Sequence, residues 1–519
     1  MRRPWSQINL RPSWVGVALC LIFGLAVFFR VYGLGGRDLW TDEAWVALAA
    51  LQDTPQAALA ASQSTPPLYL LTIWALVQVA GGSEAVLRSL SLIFGLGTLA
   101  LFWPLARTLT SRAAALLGLA LVGFSPIMVY YSKELKQYSG DAFFAVLIFF
   151  LAERLRSREN KWAWPALALA GALGLGFSHT LIFILPVALL GLWFSRADVP
   201  RSRVLLLGGV WAAGFAAFFL FFFRQQVDPE LVAYWARDFP DFSGLVAFLR
   251  WFGEAVYRYF WYFCGAWGIY WGLPLLAAGV LSLSRQGGGR ALLYLGGPLL
   301  LTFGAAALHR YPFMAHYGGN RLMLFTAPLL YLVVAVGLMS VLDWLWKKRQ
   351  RVLAAALTGL ILVALNPPKI VRENLYPINN REEIQPLVAH LQSRLQPQDW
   401  VYVYYFAVSP FKYYFHGPGE RICWGKSCVE KELAVPAAGA PTPRRLWLIA
   451  SHIPSLKYLR EFAGELLGPQ WREVSCLSRV GAALFCFEEQ GPQLAKSRTS
   501  LAKPDESDSP APPAGKACK

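Results

Sequence analysis

The stretch WVGVALCLIFGLAVFFRV, residues 14–31, decides how the rest of the chain is read. It is as long as a bilayer span. It follows a short basic segment (Arg2, Arg3, Arg11), and no small-residue cleavage site clearly follows it. It therefore reads as an uncleaved first membrane helix with a cytoplasmic N-terminus, not as a secretory leader. Directly after it comes GRDLWTDEAW, residues 36–45, with the acidic pair Asp42-Glu43. Carboxylates at the exit of a membrane helix face water and headgroups on one side and lipid on the other. The pair either caps an interfacial helix, since Thr41 and Asp42 are good N-cap residues, or acts as a base at that boundary.

Composition supports the membrane reading. The 519-residue chain is 56% hydrophobic and 15% charged, whereas a soluble protein carries about 25% charged residues. Its 21 Trp and 21 Tyr suit many helix ends at two membrane–water interfaces. A net charge of +17 would ordinarily raise nucleic acid as a partner. Here the basic residues sit in short loops between apolar runs, so the positive-inside rule accounts for them and no nucleic-acid partner is expected.

Apolar runs of spanning length predict about eleven helices, at 14–32, 84–107, 112–131, 139–153, 162–178, 179–195, 204–223, 265–284, 291–308, 321–342 and 352–366. When these alternate, six Lys/Arg clusters fall on one side, among them Arg107/Arg112, Arg154–Lys161 and Lys347–Arg351. That side is assigned as cytoplasmic, which makes the chain a multi-pass protein of the plasma (inner) membrane. The other side holds the longer connections: 32–83, 130–138, 224–261, 309–320 and everything after 366.

The expected fold class is an all-α polytopic membrane domain over 1–366, followed by a small extracytoplasmic α/β domain over 367–489. The first outer loop, 33–83, is expected to hold an interfacial helix at 43–61, a stop at Pro66-Pro67 and a second helix at 68–79. Within 367–489 the pattern predicts helices at 382–395 and 455–467, strands at 399–405 and 445–450, and a hairpin of 474–477 with 482–487. Residues 490–519 have the composition of a disordered tail. Cys20 and Cys264 read as packing residues, and Cys518 as unpaired. In an oxidising compartment the simplest pairing of the rest is Cys423 with Cys428 and Cys476 with Cys486. A zinc site there lacks CxxC spacing.

Each outer loop brings ionisable residues to the same face. The second is YYSKELKQY, residues 130–138. Charges there would cost about 2.5–3.5 kcal/mol each at the bilayer centre, so they sit at the interface or line a wet cavity. Arg88 lies about one turn inside a span, where either snorkelling or an anionic ligand would satisfy it. Arg310 and Arg321 bracket the fourth outer loop, and the lone His179 reads as structural. Carboxylates at Asp42, Glu43 and Glu134 can accept a proton from a nucleophile. Cations at Arg88, Lys136, Arg310 and Arg321 can stabilise a departing phosphate. The combination suits group transfer from a phosphate-linked lipid.

Four ordered motifs carry a family resemblance: Trp40-Thr41-Asp42-Glu43-Ala44; Pro66-Pro67-Leu68-Tyr69 followed by Gly81 to Arg88; Ser125-Pro126 through Tyr138; and Arg321 to Pro328. Over roughly residues 14–340 the chain resembles the polyprenyl-phosphate-sugar-dependent glycosyltransferases of the GT-C superfamily. It lies near glycosyltransferase family 39, which includes protein O-mannosyltransferases and lipid A aminoarabinose transferases. The resemblance implies inverting transfer from a polyprenyl-phosphate-linked sugar to a protein, lipid or polysaccharide acceptor. It implies Asp42 as general base, with Glu43 supporting it or helping to bind a divalent metal. Glu134 and Lys136 would line the donor site, Arg88, Arg310 and Arg321 would hold the lipid phosphate, and Tyr69, Tyr131 and Tyr138 would line the substrate. Two positions depart from the pattern. Thr65 stands where relatives often have Lys or His, and Lys136 stands where Arg is common. Rival readings are a membrane transporter and a non-catalytic membrane scaffold. Against the first, the charges gather at one face and no inverted repeat is evident.

Overall fold

A computed structural model describes residues 12–62, 64–156, 162–195, 199–226, 233–316, 319–375, 382–419, 421–424, 445–453 and 455–490. The chain forms two compact units: Met1–Leu34, Ala58–Gly81 and Ala85–Pro377 in one, and Gly35–Ala57, Gly82–Glu84 and Ile378–Lys519 in the other.

The first unit is a helical bundle. Each expected apolar run is helical, but the count of spans is corrected. Among the described residues, five helices are long and apolar enough to cross a membrane, or six if the pair Leu245–Cys264 and Gly268–Arg285, bent by 95°, is one span. The reason is breakage. The 112–131 run divides at Ser125 into Arg112–Phe124 and Pro126–Tyr131. Ala163–Gly174 and Leu181–Trp193 hold 12 and 13 residues. At 1.5 Å per residue these make about 20 Å, short of a hydrocarbon core of about 30 Å. Tyr138–Arg156 is long enough but carries Asp141, Glu153, Arg154 and Arg156. These charges sit towards its ends. Ser178 donates to Asp141 at 2.5 Å, and Glu153 accepts from Arg290 and from Tyr294 Oη.

The helix Ala327–Lys347 is the centre of this bundle. Its spanning window is 83% buried, against 17–50% for the other four candidates. It meets Gly268–Arg285 backbone to backbone. A Cβ on Gly337 would lie 1.9 Å from the Leu275 carbonyl oxygen, and one on Gly279 2.1 Å from that of Val333. Small residues let membrane helices approach this closely, where dispersion contacts do the work that water exclusion does elsewhere.

A buried cation closes another helix end. Arg30, fully buried, donates to the carbonyls of Gly123 at 2.8 Å and Val122 at 3.1 Å, and to Ala26 in its own helix at 3.0 Å. Those first two carbonyls belong to the last turn of Arg112–Phe124, which has no intrahelical partners for them. A cation is favoured at that negative end of the helix dipole.

The second unit is built on a five-stranded sheet of order β2-β1-β3-β5-β4. Its strands are β1 (Trp400–Val403), β2 (Ile422–Trp424), β3 (Arg445–Ser451), β4 (Trp471–Arg479) and β5 (Ala482–Glu489). β1 runs parallel to β2 and β3, while β3–β5 and β5–β4 are antiparallel. Leu446, Leu448, Ala450, Phe485 and Phe487 pack with Leu459, Ala463 and Leu467 of the helix Leu456–Leu467. The intervening residues Trp447, Ile449, Leu484 and Cys486 are buried too. Burial on both faces explains why LWLIA and AALFCF read as continuous apolar runs. Asp399 closes one end of this core. Arg445 bonds both of its oxygens at 3.1 and 2.6 Å, and Trp447 Nε1 donates at 3.0 Å.

The pairing of Cys476 with Cys486 is not formed, because Cys486 is a free, buried thiol. Cys476 lies opposite Phe485 and Cys486 opposite Ser475, so alternation sends the two sulfurs to opposite faces of the sheet. Cys423 and Cys476 are each disulfide-bonded, but not to one another, since they lie on the two opposite edge strands of the sheet. Cys428, Cys518 and the tail 491–519 lie outside the described residues.

The interfacial helix expected at 43–61 is two helices, Thr41–Ala50 and Pro55–Ala61. The residue before a proline avoids the helical region, and Thr54 Oγ1 caps the second helix by accepting from Ala57 N at 3.2 Å. Neither Thr41 nor Asp42 caps the first. Trp40 holds the N-cap position without a side-chain bond. Thr41–Ala50 packs on the helix Val408–Tyr414 of the same unit.

Candidate functional site

In the first unit, the loop that the sequence leaves between a solvated turn and a functional one is buried. Lys133 is 5% exposed, Glu134 0% and Lys136 9%. Ser125 makes this possible. Its hydroxyl caps the short helix Pro126–Tyr131 by accepting from Met128 N at 3.4 Å. It also lies 2.9 Å from Tyr331 Oη of the central helix, which in turn donates to the Phe263 carbonyl at 2.7 Å. Pro126 suits the first helical position, where no N–H is needed. The loop then turns within six residues into the helix Tyr138–Arg156.

Lys133 anchors the turn. Its Nζ donates to the carbonyls of Phe29 at 3.0 Å, Tyr32 at 3.1 Å and Asn374 at 3.4 Å. Phe29 and Tyr32 lie at the C-terminal end of Pro12–Val31, so this ammonium also meets a negative dipole end. Ser132 packs on the helix Glu84–Leu109 at Gly95, where a Cβ would come within 2.2 Å of the Ser132 hydroxyl.

Arg88, Ser91 and Gly95 occupy positions i, i+3 and i+7 of that helix and so share one face. Ser91 Oγ donates to the Lys136 carbonyl at 3.1 Å and lies 2.8 Å from Tyr69 Oη. Arg88 is fully buried, and its Nη1 donates to the Leu34 carbonyl at 3.3 Å. Arg321 Nε donates to Tyr138 Oη at 2.9 Å. Tyr138 packs edge to face on Tyr131 with centroids 5.2 Å apart, and Tyr131 Oη meets Tyr262 Oη at 2.6 Å. Tyr69, Arg88, Tyr131, Lys136, Tyr138 and Arg321 thus fall on neighbouring elements around the second outer loop. Arg310 does not join them. It is exposed, and among the described residues its side chain makes no hydrogen bond or ion pair.

Asp42 and Glu43 belong to the second unit, in the first turn of Thr41–Ala50. Glu43 is fully buried with Arg37 at 3.6 Å, and Asp42 is half-buried. Around them Leu39 N donates to Tyr414 Oη at 2.8 Å, and Tyr414 Oη donates to Glu84 at 3.1 Å. Burial pushes the Tyr414 phenol well above its ordinary range, against the lowering effect of the Leu39 bond.

Residues that the sequence reading did not single out also take part. Arg30 and Lys133 tie the second outer loop and its entry to the first helix. Asp238 accepts from His316 N at 3.0 Å and pairs with His316 Nδ1, while Arg258 meets His316 Nε2. One signal was readable: Arg30 is an ionisable residue inside an apolar span, which by default marks a structural or functional bond. Among the described residues no three His, Cys, Asp or Glu side chains converge as a metal site.

Residues 64–223 match the family described as dolichyl-phosphate-mannose-protein mannosyltransferase. No curated protein matches the chain. Among solved structures, it is similar to ArnT from Cupriavidus metallidurans bound to undecaprenyl phosphate, at 12% identity and a TM-score of 0.49, covering 92% of this chain and 98% of that one. It is also similar to the Archaeoglobus fulgidus oligosaccharyltransferase in the apo form, at 11% identity and a TM-score of 0.49, covering 92% of this chain and 74% of that one.

Proposed function

We propose that this protein is an integral membrane glycosyltransferase. It moves a monosaccharide from a polyprenyl-phosphate donor to an acceptor at the extracytoplasmic face, with inversion. Asp42 takes the proton of the acceptor hydroxyl or amine as that atom bonds to the anomeric carbon. The bond from that carbon to the phosphate oxygen breaks, and polyprenyl phosphate leaves with the electron pair. Arg88, Lys136 and Arg321 stabilise the charge that grows on it, and Glu134 lines the donor site beside Lys136.

The observation that carries this reading is the buried second outer loop of the first unit, with Arg88 and Arg321 on the elements packed around it. Buried and half-buried cations gathered about one loop suit an anionic headgroup better than a path across the bilayer. The family match over residues 64–223 covers this loop and supports the same chemistry.

The test is Asp42→Asn in the full-length protein, reconstituted with radiolabelled undecaprenyl-phosphate monosaccharides and an envelope extract from a deletion strain. Loss of a general base lowers turnover by roughly 10²–10⁴-fold. Undiminished transfer by the variant, or no turnover of any donor by the wild type, overturns the reading.

A further inference from the structure

The helix that carries Asp42 is held at its first turn by a carboxylate from far down the chain. Glu382 is only 2% exposed. Its Oε2 accepts from the Thr41 backbone N–H at 3.2 Å and lies 3.1 Å from Thr41 Oγ1. The Thr41 hydroxyl has a single proton, and its nearer acceptor is the Phe406 carbonyl at 2.6 Å. The other oxygen of Glu382, Oε1, is 2.9 Å from His452 Nδ1. All of these groups belong to the second unit.

The first N–H groups of a helix have no intrahelical acceptor, and the positive end of the helix dipole favours an anion. Glu382 meets both needs for Thr41–Ala50, whose N-cap Trp40 supplies no side-chain bond. Two further bonds fix the approach: Gln385 N donates to Asp38 Oδ2 at 2.8 Å, and Leu39 N donates to Tyr414 Oη at 2.8 Å. His452 stands at φ 55°, a region that non-glycine residues seldom adopt. Its ring stacks on Trp40 with centroids 6.3 Å apart. Strain of this kind persists where surrounding contacts over-determine it.

We propose that Glu382 is a positioning residue for Asp42. The C-terminal domain, through this buried carboxylate, sets the orientation of the helix turn that presents the base. The domain is then part of the catalytic apparatus. The inference rests on the reading of Asp42 as the base.

Two measurements on the full-length chain test it. In Glu382→Ala, amide hydrogen exchange across Thr41–Ala50 is expected to speed up at least about ten-fold, with Glu84–Leu109 unchanged. With the undecaprenyl-phosphate monosaccharide that the wild type turns over, kcat is expected to fall by about 10–100-fold, as a misplaced catalytic group does. KM for the donor should stay within about two-fold. Glu382→Gln keeps an acceptor oxygen and should restore most of kcat.

Unchanged exchange, or unchanged kcat in Glu382→Ala, overturns the inference. So does a loss that Glu382→Gln fails to rescue, because that outcome marks a purely structural role. Asp42→Asn measured alongside separates the two claims. If it retains transfer, the base assignment itself fails. If it loses transfer while Glu382→Ala keeps its kcat, only the positioning role fails.

Discussion

Arg321 and Tyr138, 183 residues apart in sequence, meet through a 2.9 Å hydrogen bond from Nε to Oη. The guanidinium carbon also stands 5.7 Å from the phenol ring centroid. The phenol thus fixes the plane of the guanidinium, and a planar fork of this kind is the geometry that suits a phosphate. Tyr138→Phe keeps the ring and removes the acceptor. A hydrogen bond to a charged group contributes about 1.5–3 kcal/mol, so KM for the donor should rise on the order of ten-fold with little change in kcat. Initial rates against donor concentration check this. An unchanged KM would overturn the proposed donor-site role of Arg321.

Arg30 predicts a stability effect without a catalytic contact. Arg30→Met leaves the Val122 and Gly123 carbonyls buried without their donor. Each such group costs about 1–3 kcal/mol. Thermal unfolding in detergent should shift down by several degrees, with Arg30→Lys recovering part of the loss. An equal Tm for Arg30→Met and wild type would contradict the capping role.

Gly337 should tolerate no side chain. A methyl there would lie 1.9 Å from the Leu275 carbonyl oxygen, so the two central helices must separate. Overpacking costs typically 1–3 kcal/mol, occasionally more. Gly337→Ala is expected to reduce monodisperse protein in size-exclusion chromatography. Gly296→Ala, where nothing lies within 4 Å, should behave as wild type and serves as the control.

Cys486 gives a pH dependence with a defined sign. Burial pushes its thiol up from 9.0 to about 11, helped by Glu488 and Asp399 and opposed by Arg445. The unfolded chain releases this proton near the lower value, the folded one near the higher. The group's contribution is therefore fully present below pH 9 and is lost as pH rises through about 11. Native protein at pH 8 should leave Cys486 unmodified by iodoacetamide, and denaturant should expose it. Rapid native labelling of Cys486, read by peptide mass spectrometry, would show that the thiol is not buried.

Apolar run length made the helices of the first unit legible, and the β-rich runs at 445–450 and 482–487 made the sheet of the second legible. Each signal lies within one segment, as periodicity and composition do. The number of spans was less legible, because Ser125-Pro126 and the turn after Gly174 interrupt runs that a hydropathy window sees as continuous. Within the first unit, the motif residues Tyr69, Tyr131, Lys136 and Tyr138 do lie on neighbouring elements around one loop.

By itself, the sequence determined that this chain is a multi-pass helical protein with a separate β-containing domain, and that charged residues cluster in its loops. Burial of apolar runs is additive and local, so it can be read residue by residue. Only the tertiary structure decided that Arg30 and Lys133 close helix ends, that Cys476 and Cys486 face away from each other, and that the Asp42 helix belongs with Glu382. The helix-end bonds and the Glu382 contact depend on which carbonyl or carboxylate arrives from 92 to 341 residues away. A buried polar group must find a partner, but nothing in its own segment says which.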